Sequence, residues 1–158
     1  MKDVIIVGGG LKGMLTALFL HDAGLKVMLV DQNELGRESS WAGGGLITPL
    51  YPWQASAFVS ALVKDSQKHY PALCERLYQE TGIDPQWIQS GLLITDTSQQ
   101  QAAQAWAETW GYQLQLLEGH ILKANEAYLS SAFKQALYFP ELAQVRSPRL
   151  NAALRAML

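Results

Sequence analysis

The chain has 158 residues, 49% of them apolar and 16% charged, which is enough to bury one ordinary core. A net charge of −2 with no basic or acidic block gives no footing for nucleic acid or an anionic membrane surface. The only cysteine, Cys74, excludes an intrachain disulfide and fits a reducing compartment.

Along the chain, Val4 to Val7 is a continuous apolar run ending at glycine, the pattern of a strand buried on both faces of a parallel sheet. It is too short for a signal peptide, and Met14 to Leu20 is too short to span a bilayer, so the reading is a cytoplasmic protein without a membrane span. Leu11 to Ala23 carries apolar residues at 11, 14, 15, 18 and 19, a helical spacing, and Gly24 supplies the stop. Val27 to Val30 is a second buried strand, brought parallel to the first by a right-handed crossover.

After Trp53 the character changes. Ala57 to Thr81 reads as a long helix that Pro71 is expected to kink or divide, because proline cannot donate to the preceding turn. Cys74 falls within its apolar pattern and reads as a structural thiol. Strands are expected over Gly91–Thr95, Gln113–Leu117 and Ala136–Phe139. Helices are expected over Gln99–Trp110, closed by Gly111, over Asn125–Ala132, and over Pro148–Leu158, where proline opens the first turn. The chain looks cut off at that last helix, since two strands are too few for a complete doubly wound domain. The expected division is a βαβ unit over 1–56, a helical and strand segment over 57–140, and a return helix over 141–158.

Two clusters carry the chemistry. Gly8-x-Gly10-x-x-Gly13 follows a strand and opens a helix. Gly8 permits the tight turn, Gly10 lets the backbone approach a pyrophosphate, and Gly13 lets helix and strand pack closely. The helix N-terminus offers N–H groups and partial positive charge to phosphates. Asp31 ends the second strand, where a carboxylate accepts hydrogen bonds from ribose hydroxyls and repels a 2′-phosphate. Gln32 and Asn33 supply no positive replacement, which disfavours NADP. The second cluster is Ser39-Ser40-Trp41-Ala42-Gly43-Gly44-Gly45-Leu46. Its small side chains and hydroxyls suit a ligand that continues beyond its pyrophosphate, and a flexible loop is the plainer alternative. His21, His69 and His120 are scattered without metal-ligand spacing and read as surface or capping residues, so no metal site is expected. Trp41, Tyr51 and Trp53 read as packing residues, with a substrate entrance as the alternative.

Gly8 to Gly13, Asp31 and the run Arg37 to Gly45 resemble FAD-dependent amine and amino-acid oxidases of the D-amino-acid oxidase superfamily. Ser40 to Trp53 is most similar to its glycine oxidase branch, linked to thiamine biosynthesis. Ser90-Gly91-Leu92-Leu93 and Val145 to Leu150 follow in the family's order. The resemblance implies an α/β fold: a Rossmann-like FAD-binding βαβ domain with a parallel sheet, followed by the start of an α+β substrate domain.

It further implies FAD contacts at Gly8, Gly10, Leu11, Lys12 and Gly13 for the phosphates, with Lys12 acting through its backbone. Asp31 and Gln32 would meet the adenosine end, and Ser39 and Ser40 the pyrophosphate and ribityl chain. Gly44, Gly45 and Leu46 would lie along the isoalloxazine, although Leu46 also suits a core position. The implied reaction removes hydride from the α-carbon of a small amine such as glycine, sarcosine or a D-amino acid. The imine then hydrolyses, and oxygen is reduced to hydrogen peroxide. No catalytic side chain is assigned, because an amine entering deprotonated needs no general base. The family's arginine that clamps the substrate carboxylate is expected beyond Leu158, and Arg146, Arg149 and Arg155 do not stand in for it. A D-amino-acid dehydrogenase and a non-catalytic FAD-binding fragment remain the alternatives; self-association into a homo-oligomer is compatible with each.

Overall fold

β1 (Val4–Val7) and β2 (Val27–Val30) pair in parallel, with Val4 opposite Val27 and Val7 opposite Val30, in a computed structural model that describes residues 1–158. Between them runs α1 (Leu11–Asp22), which buries Met14, Ala17 and Leu18. It stops where Gly24 adopts φ +85° and its N–H donates to the His21 carbonyl. A left-handed residue there costs glycine nothing, whereas a Cβ would be strained.

The backbone forms two compact units. The first comprises Met1–Gly45, His69–Trp87 and Val145–Leu158, and the second Leu46–Lys68 and Ile88–Gln144. In the first, α2 (Ser39–Ala42) is a single turn, and α6 (Ser147–Met157), with Pro148 in its first turn, packs on both α1 and α2. Leu150, Ala153 and Leu154 of α6 are buried. Arg76 makes a bidentate pair with Asp22 at the end of α1, and this pairing is the main reason the Asp22 carboxyl sits below its ordinary range. Cys74 is a free, buried thiol, 5% exposed, and burial pushes its pKa up to about 11.

The second unit is built on an antiparallel sheet ordered β3 (Leu92–Ile94), β5 (Gln135–Phe139), β4 (Gln115–Glu118). The central strand β5 buries Ala136, Leu137 and Phe139. Trp106 and Ala107 of α4 (Gln100–Trp110) join Leu92, Ile94, Phe139 and Leu142 in the main core. Trp53 stacks on Phe139 with ring centroids 6.2 Å apart, and Tyr51 packs edge-on to Trp53, so these two aromatics are core packing residues.

Three expectations require correction. β1 and β2 are not buried on both faces: Ile5, Val7, Met28 and Val30 share one face and are 63%, 84%, 41% and 39% exposed. The continuous apolar run fits two-sided burial in a complete sheet; a sheet of only two strands is expected to leave an apolar face exposed, and in this structure only one side is covered. A dye that fluoresces on apolar surface should therefore bind the 158-residue chain, and paired Ile5→Thr and Val7→Thr changes should weaken the signal. No binding by the parent chain would contradict the exposure.

Next, α3 (Ala57–Thr81) is one continuous helix through Pro71 and is not divided there. Finally, the helix expected over Asn125–Ala132 lies earlier, at α5 (Gly119–Asn125). Leu122 is its anchor, buried against Leu117 and Ala136, while the stretch that follows sets only the part-buried Leu129 against the same cluster and forms turns. No helix is long and apolar enough to cross a membrane.

Candidate dinucleotide site

The turn between β1 and α1 is fixed by backbone chemistry. Gly8 adopts φ +106°, and its N–H donates to the Val30 carbonyl at 2.8 Å, tying the turn to the end of β2. A Cβ on Gly8 would meet nothing within 4 Å, so this glycine is required for its conformation and not for space. Gly13 is the opposite case: a Cβ there would lie 1.8 Å from the Gly8 carbonyl oxygen, so helix and strand approach too closely for any side chain. Gly10 is half-buried beside Ser40, whose Oγ would stand 3.2 Å from a Cβ.

Ser39 and Ser40 begin α2, and the Ser40 hydroxyl accepts the Leu11 N–H at 3.0 Å. Ser40 thus caps the first turn of α1 from a distant part of the chain. The N–H groups of Lys12 and Gly13 meet no acceptor outside the helix, and in its first turn they have none inside it. These are the donors an anion would take. The Lys12 side chain is exposed.

Asp31 is exposed at the end of β2, and its carboxylate is already engaged. Its Oδ1 accepts the Asn33 N–H at 2.9 Å and its Oδ2 the Gly9 N–H at 2.5 Å. The Asn33 bond first, and the Gly9 bond second, hold its carboxyl below the ordinary range. A depressed pKa means that any stability supplied by the charge is present above the unfolded value of about 3.9 and is lost as pH falls through the lower folded value. Fluorescence-monitored stability should therefore show no Asp31 contribution to pH dependence between about pH 5 and pH 8. In Asp31→Asn the decline at acid pH should begin from a lower plateau and be shallower; a superimposable profile would contradict this role.

Gly44 is exposed with open space around it, whereas Gly45 adopts φ +82° and its carbonyl accepts the Val145 N–H at 2.9 Å. Gln32 is exposed. Leu46 belongs to the second unit, where it bridges Gln144 and is 40% exposed. The structure thus gathers Gly8, Gly10, Leu11, Lys12, Gly13, Asp31, Ser39 and Ser40 around one turn of the first unit.

Sequence reasoning missed two residues of this frame. The Gly9 N–H holds Asp31, and Gly36, which is buried, donates its N–H to the Gly9 carbonyl at 2.8 Å. Gly9 stood in view as the middle of three consecutive glycines. Gly36 had no local signal beyond being a glycine after a strand.

The three histidines are exposed, and no group of histidine, cysteine and carboxylates is placed to hold a metal ion. Arg149 donates to the Asp84 carbonyl and Arg155 to the Leu35 carbonyl, so both serve the backbone of the first unit.

This arrangement has the features a pyrophosphate-linked dinucleotide needs: a turn without side chains, free N–H donors at a helix start, and a carboxylate at the next strand's end. Residues 3–158 match the family model described as DAO, FAD dependent oxidoreductase. The chain is 45% identical to a glycine oxidase of Pseudomonas aeruginosa over 157 residues, covering 99% of this chain and 43% of that protein. It is 43% identical to a glycine oxidase of Pseudomonas putida with the same coverage. The crystal structure of glycine oxidase from Geobacillus kaustophilus superposes with a TM-score of 0.86 at 28% identity, covering 98% of this chain and 43% of that one. The chain thus spans less than half the length of these relatives.

Proposed function

The chain belongs to the DAO family of FAD dependent oxidoreductases, and from that premise we propose that it forms the FAD-cradling part of an enzyme that oxidises a small primary or secondary amine. Glycine, sarcosine and D-amino acids are the substrate class. The observation that carries this reading is the β1–α1 turn, whose glycines and free N–H groups fit a pyrophosphate, together with the likeness to glycine oxidases over nearly the whole chain.

In this reading the N–H groups of Lys12 and Gly13 receive the phosphate oxygens, with the positive end of α1 behind them. Gly8 and Gly10 keep side chains out of the way. Asp31, charged across the neutral range, accepts from the ribose hydroxyls, and Gln32 lies beside it at the adenosine end. Ser39 and Ser40 serve the pyrophosphate and ribityl chain, and Gly44, Gly45 and Leu46 run along the flavin ring. When bound, FAD supplies the two-electron acceptor that takes hydride from the substrate α-carbon. Hydrolysis of the resulting imine and reduction of oxygen to hydrogen peroxide complete the proposed reaction, with a role in supplying thiamine synthesis.

The test is made on the full-length enzyme that contains these residues: anaerobic bleaching of its flavin absorption by glycine, sarcosine and D-alanine in turn, followed by admission of oxygen and a peroxidase-coupled assay for peroxide. Bleaching by at least one amine, with recovery and peroxide on aeration, is expected. Bleaching without reoxidation by oxygen would replace the oxidase with a dehydrogenase that uses another acceptor. No bleaching by any of them would overturn the amine reading.

A further inference from the structure

Asn151 is 1% exposed in α6 and holds two carbonyls at once. Its Nδ2 donates to the Ser147 carbonyl at 2.8 Å, one turn back in the same helix, and to the Ser40 carbonyl at 3.0 Å. The second bond reaches α2, a four-residue helix too short to be stable alone. Ser40 in turn accepts the Leu11 N–H through its hydroxyl. A continuous chain therefore runs from Asn151 through Ser40 to the first turn of α1.

The other end of the amide explains why this residue is unusual. Oδ1 of Asn151 is buried without a partner, facing Gly36, where a Cβ would come within 2.7 Å of it. An unpaired buried acceptor opposes folding, and an apolar residue in the same stripe as Leu150 and Leu154 would avoid that cost. The side chain is explained by its two donors, both of which are used. Arg155, one turn on, holds the Leu35 carbonyl, so α6 holds both α2 and the segment that leads into it.

We propose that Asn151 is a positioning residue for the flavin cofactor, fixing Ser40 and through it the α1 N-terminus that receives the pyrophosphate. The inference rests on the FAD reading above. It predicts that the amide's donors, more than its bulk, set cofactor affinity.

Two substitutions in the full chain test it, read by flavin fluorescence titration and by melting of the apoprotein. Asn151→Ala removes both donors but also the orphaned oxygen, and alanine favours the helix. FAD affinity should fall about tenfold while the apoprotein melting temperature changes little. Asn151→Asp keeps the shape but sets a carboxylate against two carbonyl oxygens, an environment that raises its pKa. At about pH 8 affinity should be at least tenfold weaker than in the parent, and it should recover towards about pH 5 as the acid regains one donor. Leu154→Ala, a packing change in the same helix, should lower the melting temperature without introducing a pH-dependent affinity. Parent-like affinity and pH profile in both Asn151 variants would overturn the inference alone. Failure of the parent chain to bind FAD would overturn the reading on which it rests.

Discussion

Gly13→Ala should abolish flavin retention. Two effects oppose each other at this position. Alanine is favoured over glycine in a helix by about 1 kcal/mol, and on propensity alone the change would stabilise α1. The added Cβ, however, would lie 1.8 Å from the Gly8 carbonyl oxygen, a backbone atom that cannot rotate away. Overpacking of this kind costs about 1–3 kcal/mol even when side chains can yield, and here the turn itself must shift. The clash prevails, and the displaced turn is the one that carries the free N–H groups. Protein purified with the substitution should lack the yellow absorption of flavin and melt at a lower temperature than the parent. Parent-like flavin content would show that the turn has more room than the structure gives it.

Phe139→Ala should be the most destabilising single change in the second unit. Phe139 is fully buried at the end of the central strand, stacked on Trp53 and edge-on to Trp106 at 5.9 Å. Truncating such a residue costs about 3–5 kcal/mol through lost transfer free energy and the cavity left behind. That is a large share of the 5–15 kcal/mol roughly typical of a folded domain. Denaturant unfolding followed by tryptophan fluorescence should show the midpoint falling sharply, because Trp53 and Trp106 report on the site directly. A loss of less than about 1 kcal/mol would mean that the aromatic cluster closes over the gap.

The parts of the fold that could be read from residue order are those governed by local rules. The apolar runs of β1 and β2, the spacing along α1 and the glycines at 8 and 24 each impose a conformation on their own neighbourhood. The dinucleotide turn was legible for the same reason, since its chemistry lies within a few residues. α2 was not, because four residues carry no helical period and the turn is held by Asn151, 111 residues away in sequence. Asn151 did leave a trace, as a polar residue in the stripe of Leu150 and Leu154, but a polar interruption says nothing about which carbonyl it seeks. The misplaced α5 reflects a similar gap: its position depends on Leu122 finding Leu117 of β4 and Ala136 of β5, a contact of helix with sheet that periodicity does not encode. The apolar run of β1 does not tell one covered face from two, but the count of strands does: two are too few for a complete parallel sheet, and an exposed apolar face follows from that.

The state of Cys74 bears on endurance in the presence of an oxidant. A thiolate is the group that a peroxide attacks first. With its pKa pushed up to about 11 and only 5% of its surface exposed, this thiol is protonated at neutral pH and shielded from solvent. Cys74 should therefore stay reduced when the protein is exposed to peroxide, and oxidation of these 158 residues would have to begin at other side chains.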